Sequence, residues 1–295
     1  MKPIIKWVGG KGGNLPYIRD RLPESFNTYY EPFVGGGALL LDLLPNYAVV
    51  NDINPELTNM YLQIKYNVSK VIKFLSILDK QHEEWSEPKD YYYLVRDLFN
   101  KSLGSDTAEQ AARFIYLNKH CFNGLYRVNK KGEFNVPFNY KNTGNSYDED
   151  HLRNVAVALE HTLILNKDFE DAVKNAKESD LVYFDPPYDY ECEDGFVDYS
   201  STGWTREDTT KLKLLCDQLT AKGCYVILSN NSTTFIRELF NDDRYLIEEI
   251  PVRRAINCKG TGRGPVREVI ITNHNPEGTD FKPMVIEPHD EGAVV

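Results

Sequence analysis

Four consecutive residues, Asp185-Pro186-Pro187-Tyr188, set a carboxylate, a stiff carbonyl and an aromatic ring side by side. The run before them, Leu181-Val182-Tyr183-Phe184, is short, apolar and strand-prone, and reads as a buried parallel strand. Two prolines forbid both helix and ladder, so the chain must turn rigidly at the strand's carboxyl end, where open α/β sheets bind ligands. The arrangement suits an amino group on a flat ring. Such an amine is a poor nucleophile, because its lone pair is delocalised into the ring, and it carries two N–H donors. The Asp185 carboxylate can accept one and the Pro186 carbonyl the other, which favours a pyramidal nitrogen with its lone pair turned toward an electrophile. Tyr188 can stack on the ring and hold its plane. The plainer reading of the same residues is a polyproline turn that ends a strand.

The elements around this turn repeat a pattern of strand, turn and helix. Thr28 to Glu31 reads as a strand, Pro32-Phe33-Val34-Gly35-Gly36-Gly37 as a turn and Ala38 to Leu44 as a helix start, the nucleotide-binding opening of a doubly wound sheet. The glycine spacing is not G-x-G-x-x-G, which disfavours a nicotinamide dinucleotide. Tyr47 to Val50 reads as the second strand and delivers Asn51-Asp52, an acid placed for ribose hydroxyls. Leu163-Ile164-Leu165 is a further strand, and Asp168-Phe169 after it can hold a cofactor's adenine, carboxylate on amine and ring on face. Asp168 can equally be the N-cap of a helix from Glu170 to Ala176. Near the start, Trp7 precedes Gly9-Gly10-Lys11-Gly12-Gly13, which lacks the spacing of a phosphate-cradling P-loop, so an ATPase is not expected. Trp7 still offers a stacking face and Lys11 a charge.

Beyond the Asp185 turn, Asp189 to Gly203 is a long polar loop with Phe196 and Tyr199, followed by Trp204, and reads as a lid over a substrate or as an ordinary loop. Thr205 to Ala221 reads as a helix, Tyr225 to Ser229 as a buried strand and Thr234 to Phe240 as a short helix. Tyr245 to Val252 pairs with Val266 to Thr272 as an antiparallel hairpin around Arg253, Arg254, Lys259, Arg263 and Arg267, a basic tip suited to phosphate.

From Pro55 to about Asp150 the pattern becomes helical. Leu57, Met60, Tyr61, Ile64, Val68, Val71, Ile72, Leu75 and Leu78 recur at three-and-four spacing through one or two helices, and Tyr91 to Phe99 and Ala108 to Asn118 read as two more. The insertion ends in Asn123 to Phe138, which mixes turn residues, aromatic rings and cations as a hairpin presented to a polyanion would. Arg127 has the chemistry for a guanine edge, and Lys130, Lys131 and Lys141 for phosphates; a merely solvated basic loop is the alternative.

Composition sets the limits. The chain has 295 residues, 41% apolar and 26% charged, room for one large domain or two modest ones. No apolar run approaches a bilayer span and the first residues do not form a secretion signal, so a cytoplasmic protein without membrane contact is expected. Cys121, Cys192, Cys216, Cys224 and Cys258 are scattered without a C-x-x-C pair, and no metal is assigned. A formal charge of −10 argues against a nucleic-acid partner, but it is unevenly spread. Between Gln110 and Asn145 stand Arg113, Lys119, Arg127, Lys130, Lys131 and Lys141 against Glu133 alone, while the tail after Asn275 sets Lys282 against Glu277, Asp280, Glu287, Asp290 and Glu291.

Taken together, Lys6-Trp7-Val8-Gly9-Gly10-Lys11, Glu31 to Gly37, Asn51-Asp52, Asn123 to Arg127, Glu133 to Phe138 and Asp185 to Tyr188 resemble the DNA adenine N6-methyltransferases of the Dam and DpnM type, the D12 class of the alpha group. The likeness runs from about Pro3 to Asn273 in unbroken motif order. It implies a Rossmann-like α/β sheet that binds S-adenosylmethionine (SAM) and releases S-adenosylhomocysteine. Residues 1–56 and 151–274 would form the catalytic domain and 57–150 an inserted helical target-recognition domain with its hairpin loop; residues 275–295 lie beyond the likeness, and their prolines and acids predict a disordered tail. It further implies methylation of N6 on an adenine flipped out of double-stranded DNA, within GATC.

By position, the resemblance puts Trp7, Lys11, Glu31, Phe33, Gly35, Asp52, Ile53 and Asp185 on the cofactor, with Asp168 and Phe169 as above. Asp185, Pro186 and Tyr188 would hold the flipped adenine. Asn123, Leu125, Arg127, Lys130, Pro137 and Lys141 would contact DNA. The expected enzyme is monomeric, cytoplasmic or nucleoid-associated, with a restriction endonuclease as a candidate partner. Two departures stand out: Phe122 occupies a place where relatives often have tyrosine, and Asp189 to Asp198 is not the usual serine- and threonine-rich lid. Adenine in RNA and a catalytically silent DNA-binding regulator are the rival readings.

Overall fold

The computed structural model describes residues 1–141, 144–191, 203–251 and 267–275. Most of the loop that could be a lid or an ordinary connection (192–202), the expected basic tip (Arg253, Arg254, Lys259 and Arg263), Cys192, Cys258 and the acidic tail after Asn275 lie outside the described residues. The architecture is mixed α/β, as the resemblance implies, with seven strands among the described residues. The chain divides into two compact units, one of Met1–Leu15 with Asn27–Ala176 and the other of Pro16–Phe26 with the described residues from Lys177 onward.

The first unit contains three parallel strands, β1 (Tyr29–Glu31), β2 (Ala48–Asn51) and β3 (Thr162–Leu165), with β2 in the middle. The register sets Glu31 beside Val50 and Asn51 beside Leu165, so the three carboxyl ends stop nearly level. Asn51 ties them: its buried Nδ2 donates to the carbonyls of Pro32 and Lys167, both at 3.0 Å. After a first short helix, α1 (Leu15–Arg19), helix α2 (Ala38–Leu43) follows β1 through Gly37, which is left-handed at φ 66. Residue 67 breaks the helical geometry of α3 (Pro55–Glu84), at φ −138 and ψ 30, so the long apolar periodicity resolves into one helix with an internal kink. Asn54 caps it by accepting from the N–H groups of Glu56 and Leu57, with Pro55 at the first position.

Helices α4 (Pro88–Lys101) and α5 (Ala108–His120) pack with α3 around Tyr61, Tyr92, Phe99, Phe114 and Tyr116, all buried. Helix α6 (Glu149–Ala158) was not foreseen, because only Leu152 and Val155 on it are buried apolar positions. The signal that remained was Asp148, whose carboxylate caps the N–H of His151 at 3.0 Å. A short helix, α7 (Phe169–Val173), follows β3.

A buried polar network lies among these helices. His82 Nδ1 is 2.6 Å from the Tyr116 hydroxyl, the His82 and His120 rings are 4.3 Å apart, and His120 Nε2 is 3.1 Å from Ser146 Oγ. Ser146 in turn bonds Asp79 through both its N–H and its hydroxyl. Burial, with His120 second, lowers the His82 imidazole from 6.5 to about 4, against an opposing pull from Asp79. The folded state therefore holds a neutral His82 that the unfolded chain would protonate. The stabilisation is complete above pH 6.5 and is lost as pH falls from 6.5 toward 4. Thermal melts over that interval should show a falling Tm, and His82→Gln should flatten the dependence.

The second unit contains β4 (Leu181–Phe184) and β5 (Tyr225–Asn231) in parallel, then the antiparallel pair β6 (Leu246–Ile250) and β7 (Glu268–Thr272), with β7 beside β5. The terminal hairpin expected from the sequence is present in its strands, with Ile250 opposite Glu268. Arg267, at its described edge, pairs with Glu249 at 2.7 Å. Strand β4 is buried at all four positions, as a strand covered on both faces must be. Helix α8 (Arg206–Ala221) opens on a capping box between Thr205 and Asp208, and α9 (Thr234–Leu239) on Thr233.

Candidate active site

In the first unit, the expected cofactor residues gather at the carboxyl ends of β1, β2 and β3. Asp52 stands immediately after β2, and its carboxylate accepts from the N–H of Gly35 at 3.1 Å and of Asn54 at 3.0 Å, one bond to each oxygen. Burial raises its pKa above the usual carboxylate value, and the backbone N–H groups of Asn54, Gly35 and Ile53 oppose that rise. The carboxylate keeps lone-pair capacity for a ligand hydroxyl.

The turn that presents the Gly35 N–H is braced from both sides. Gly35 is left-handed at φ +48, and a Cβ on it would come within 2.7 Å of the Trp7 ring. The buried Tyr61 hydroxyl donates to the Gly35 carbonyl at 3.0 Å. Burial, with Glu31 and Asp52 nearby, holds that phenol far above its ordinary range, so it stays a donor.

Phe33 and Phe169 stack on each other at 5.5 Å. Asp168 caps α7 by accepting from the Glu170 N–H at 3.0 Å, which realises the capping alternative. Ile53 leaves 74% of its surface exposed next to Asp52, an apolar surface available to a ligand. Glu31 is buried at the end of β1. Lys11 is buried too, with its Nζ donating to the Gly9 carbonyl at 2.8 Å.

Trp7 stacks on Tyr126 at 5.2 Å and meets Phe114 edge-on at 6.3 Å, so its ring lies against the root of the Asn123 to Phe138 segment. Asn118, which sequence reasoning passed over, locks that root. Its side chain accepts from the Lys6 N–H at 2.9 Å and donates to the carbonyls of Lys6 at 2.8 Å and Gly124 at 3.1 Å.

The hairpin itself alternates. Phe134, Val136 and Phe138 are buried, while Lys130, Lys131, Pro137 and Lys141 are exposed. Tyr92 and Asn100 hold its returning limb, the phenol donating to the Val136 carbonyl at 2.8 Å and the amide bracketing Phe134 at 2.8 and 3.1 Å. Arg127 is exposed, and its Nε donates to Asn135 Oδ1 at 2.7 Å and its Nη2 to the Asn135 carbonyl at 3.3 Å, which fixes the guanidinium. Asn123 adopts a left-handed φ of 58, and Leu125 is half-buried beside it.

In the second unit, Asp185, Pro186, Pro187 and Tyr188 leave the end of β4. Burial first, then the nearby Asp185, Tyr183 and Glu268, hold the Tyr188 phenol far above its ordinary range, and it donates to Glu268 Oε2 at 3.1 Å. This anchor on β7 was not legible beforehand.

Among the described residues no group of His, Cys, Asp or Glu is set to hold a metal ion, and no helix is long and apolar enough to cross a membrane. Residues 7–256 match the sequence profile of the family described as D12 class N6 adenine-specific DNA methyltransferase.

The chain belongs to that family.

Its relatives agree along almost their whole length. A type II methyltransferase of Lactococcus lactis subsp. cremoris, M1.LlaDCHI, is 38% identical, covering 93% of this chain and 96% of its own. The type II methyltransferase M.MjaIII of Methanocaldococcus jannaschii is 37% identical over 93% of this chain and 99% of its own. The DNA adenine methylase of Escherichia coli K12 is 30% identical over 97% and 98%.

A D12 methyltransferase implies SAM as methyl donor and DNA as substrate. The first unit fits such a ligand: Asp52 suits ribose hydroxyls, and Ile53 and the Phe33–Phe169 pair offer apolar cover for a base.

Proposed function

We propose that this D12 methyltransferase transfers a methyl group from SAM to N6 of an adenine turned out of double-stranded DNA, within GATC. The observation that carries the reading is the turn after β4, where a carboxylate and a proline carbonyl precede a tyrosine whose hydroxyl is tied down on Glu268. When bound, SAM supplies a methyl group on a positively charged sulfur, which needs no metal to react. Asp52 holds the ribose, Phe33, Ile53 and Phe169 cover the adenine, and Trp7, Lys11, Glu31, Gly35 and Asp168 complete the surroundings. Asp185 and the Pro186 carbonyl accept the two N–H bonds of the target amine and turn its lone pair outward. Tyr188 stacks on the target ring. Extruding a base costs a few kcal/mol, which stacking and these hydrogen bonds offset.

Residues 57–150 serve target recognition in this account. Arg127 reads a base edge, Asn123, Leu125 and Pro137 line the approach, and Lys130 and Lys141 hold phosphates. The enzyme acts as a monomer in the cytoplasm or on the nucleoid, and a restriction endonuclease is its candidate partner. Transfer of labelled methyl from SAM to duplexes with and without GATC tests the reading. Label confined to GATC duplexes supports it, equal label on both removes the site assignment, and binding without transfer would make the protein a regulator.

The recognition roles separate by substitution. Arg127→Ala should cost roughly 1–3 kcal/mol of discrimination at one base pair, the usual worth of a bidentate contact. Lys130→Ala should weaken all duplexes alike and reduce the slope of log affinity against log salt by about 1. Fluorescence anisotropy over a salt series with single-substituted duplexes measures both.

A further inference from the structure

Pro186 and Pro187 have no N–H, so neither can be fixed by a backbone bond of its own, and where they stand depends on the residues that flank them. One end is β4. The other is Asp189, which all parts of the surrounding framework grip. Its N–H donates to Asn230 Oδ1 at 3.0 Å and its carbonyl accepts from Asn231 Nδ2 at 2.5 Å. Its carboxylate accepts from Arg206 Nε at 2.9 Å, Arg206 Nη2 at 3.1 Å and Thr233 Oγ1 at 2.6 Å.

These partners come from three elements: the end of β5, the first residue of α8 and the cap of α9. Asn230 is wholly buried, and its Oδ1 also accepts the Asn231 N–H at 2.8 Å, so two backbone donors fix which way that amide faces. The Arg206 guanidinium lies 4.6 Å over the Phe235 ring, which limits its freedom to leave the pair. The Asp189 side chain is only 9% exposed, so its bidentate pairing is shielded from solvent on the carboxylate side.

We propose that Asp189 is a positioning residue for the methyl transfer. By clamping the chain one residue after Tyr188, it sets where the Pro186 carbonyl and the Tyr188 ring stand relative to Asp185. The proposal rests on the adenine N6 reading above for its catalytic consequence, and on the clasp alone for its structural one.

Asp189→Asn keeps the shape and both backbone bonds but removes the charge that Arg206 and Thr233 grip. It should lower kcat by roughly tenfold to a hundredfold, the scale of a misplaced reacting group, with KM for SAM within about twofold of the parent. Arg206→Lys, which keeps the charge, should recover part of what Arg206→Gln loses. Asp189→Asn added to Arg206→Gln should cost far less than the two losses multiplied together. A second readout needs no turnover: in Arg206→Gln, the amide hydrogen of Asp189 should exchange about tenfold faster than in the parent.

Parent-like kcat in Asp189→Asn would overturn the proposal. So would a loss of activity that merely follows the fraction unfolded in a thermal melt. Should the parent fail to label adenine at all, the adenine reading falls, and the exchange measurement alone decides on the clasp: faster exchange supports it, unchanged exchange refutes it.

Discussion

Asp185→Ala should lower kcat for methyl transfer by roughly a thousandfold, within the range associated with lost orientation and proton handling at a reacting centre. The expectation follows from what an exocyclic amine lacks. Its nitrogen lone pair belongs to the ring, and only acceptors on both N–H bonds make a tetrahedral nitrogen favourable. Alanine leaves the Pro186 carbonyl to act alone. Tyr188 remains anchored on Glu268 at 3.1 Å, so stacking on the base survives and duplex affinity should change little. Single-turnover transfer with saturating DNA isolates the chemical step. A variant that kept near-parental single-turnover rates would remove Asp185 from the mechanism. Asp185→Asn should fall between the two, since its amide oxygen still accepts but carries no charge and its NH₂ faces the substrate's own donor.

Asp52→Ala should weaken binding of S-adenosylhomocysteine by roughly a hundredfold, the worth of one or two hydrogen bonds to a charged group at about 1.5–3 kcal/mol each. Two effects add. The ribose loses its acceptor, and the Gly35 and Asn54 N–H groups that Asp52 now satisfies lose theirs, which loosens the turn after β1 and the cap of α3. Isothermal titration separates the cofactor effect from stability when paired with a melt. Asp52→Asn keeps an oxygen for one of those N–H groups and should lose less. Affinity unchanged in both variants would place the cofactor elsewhere.

The parts of the molecule that were readable in advance are those written in local pattern. Leu181 to Phe184 is an apolar run too short for a helix and ends at two prolines, and it is β4. The three-and-four spacing from Leu57 onward gave α3, and the acid after the second strand was placed by its position alone. What stayed hidden depends on residues far apart in the chain. Nothing in the apolar rhythm of α5 marks Asn118 as the residue that holds Lys6, 112 positions away. Tyr61 looks like another core aromatic until its hydroxyl is seen on the Gly35 carbonyl, and Asp189 looks like the first residue of a polar loop until Arg206 and Thr233 close on it. Helix α6 escaped for a different reason: its buried stripe is too narrow to register as periodic, although Asp148 marked its start.

The identity of the atom that receives the methyl group decides between an adenine N6 enzyme and its rivals. Duplex DNA incubated with the protein and methyl-labelled SAM, then digested to nucleosides and separated, reads that identity directly. Label is expected in N6-methyldeoxyadenosine, with none when the target adenine is replaced by purine, which lacks the amine. Label on cytosine, or label that persists on the purine-substituted duplex, would contradict it.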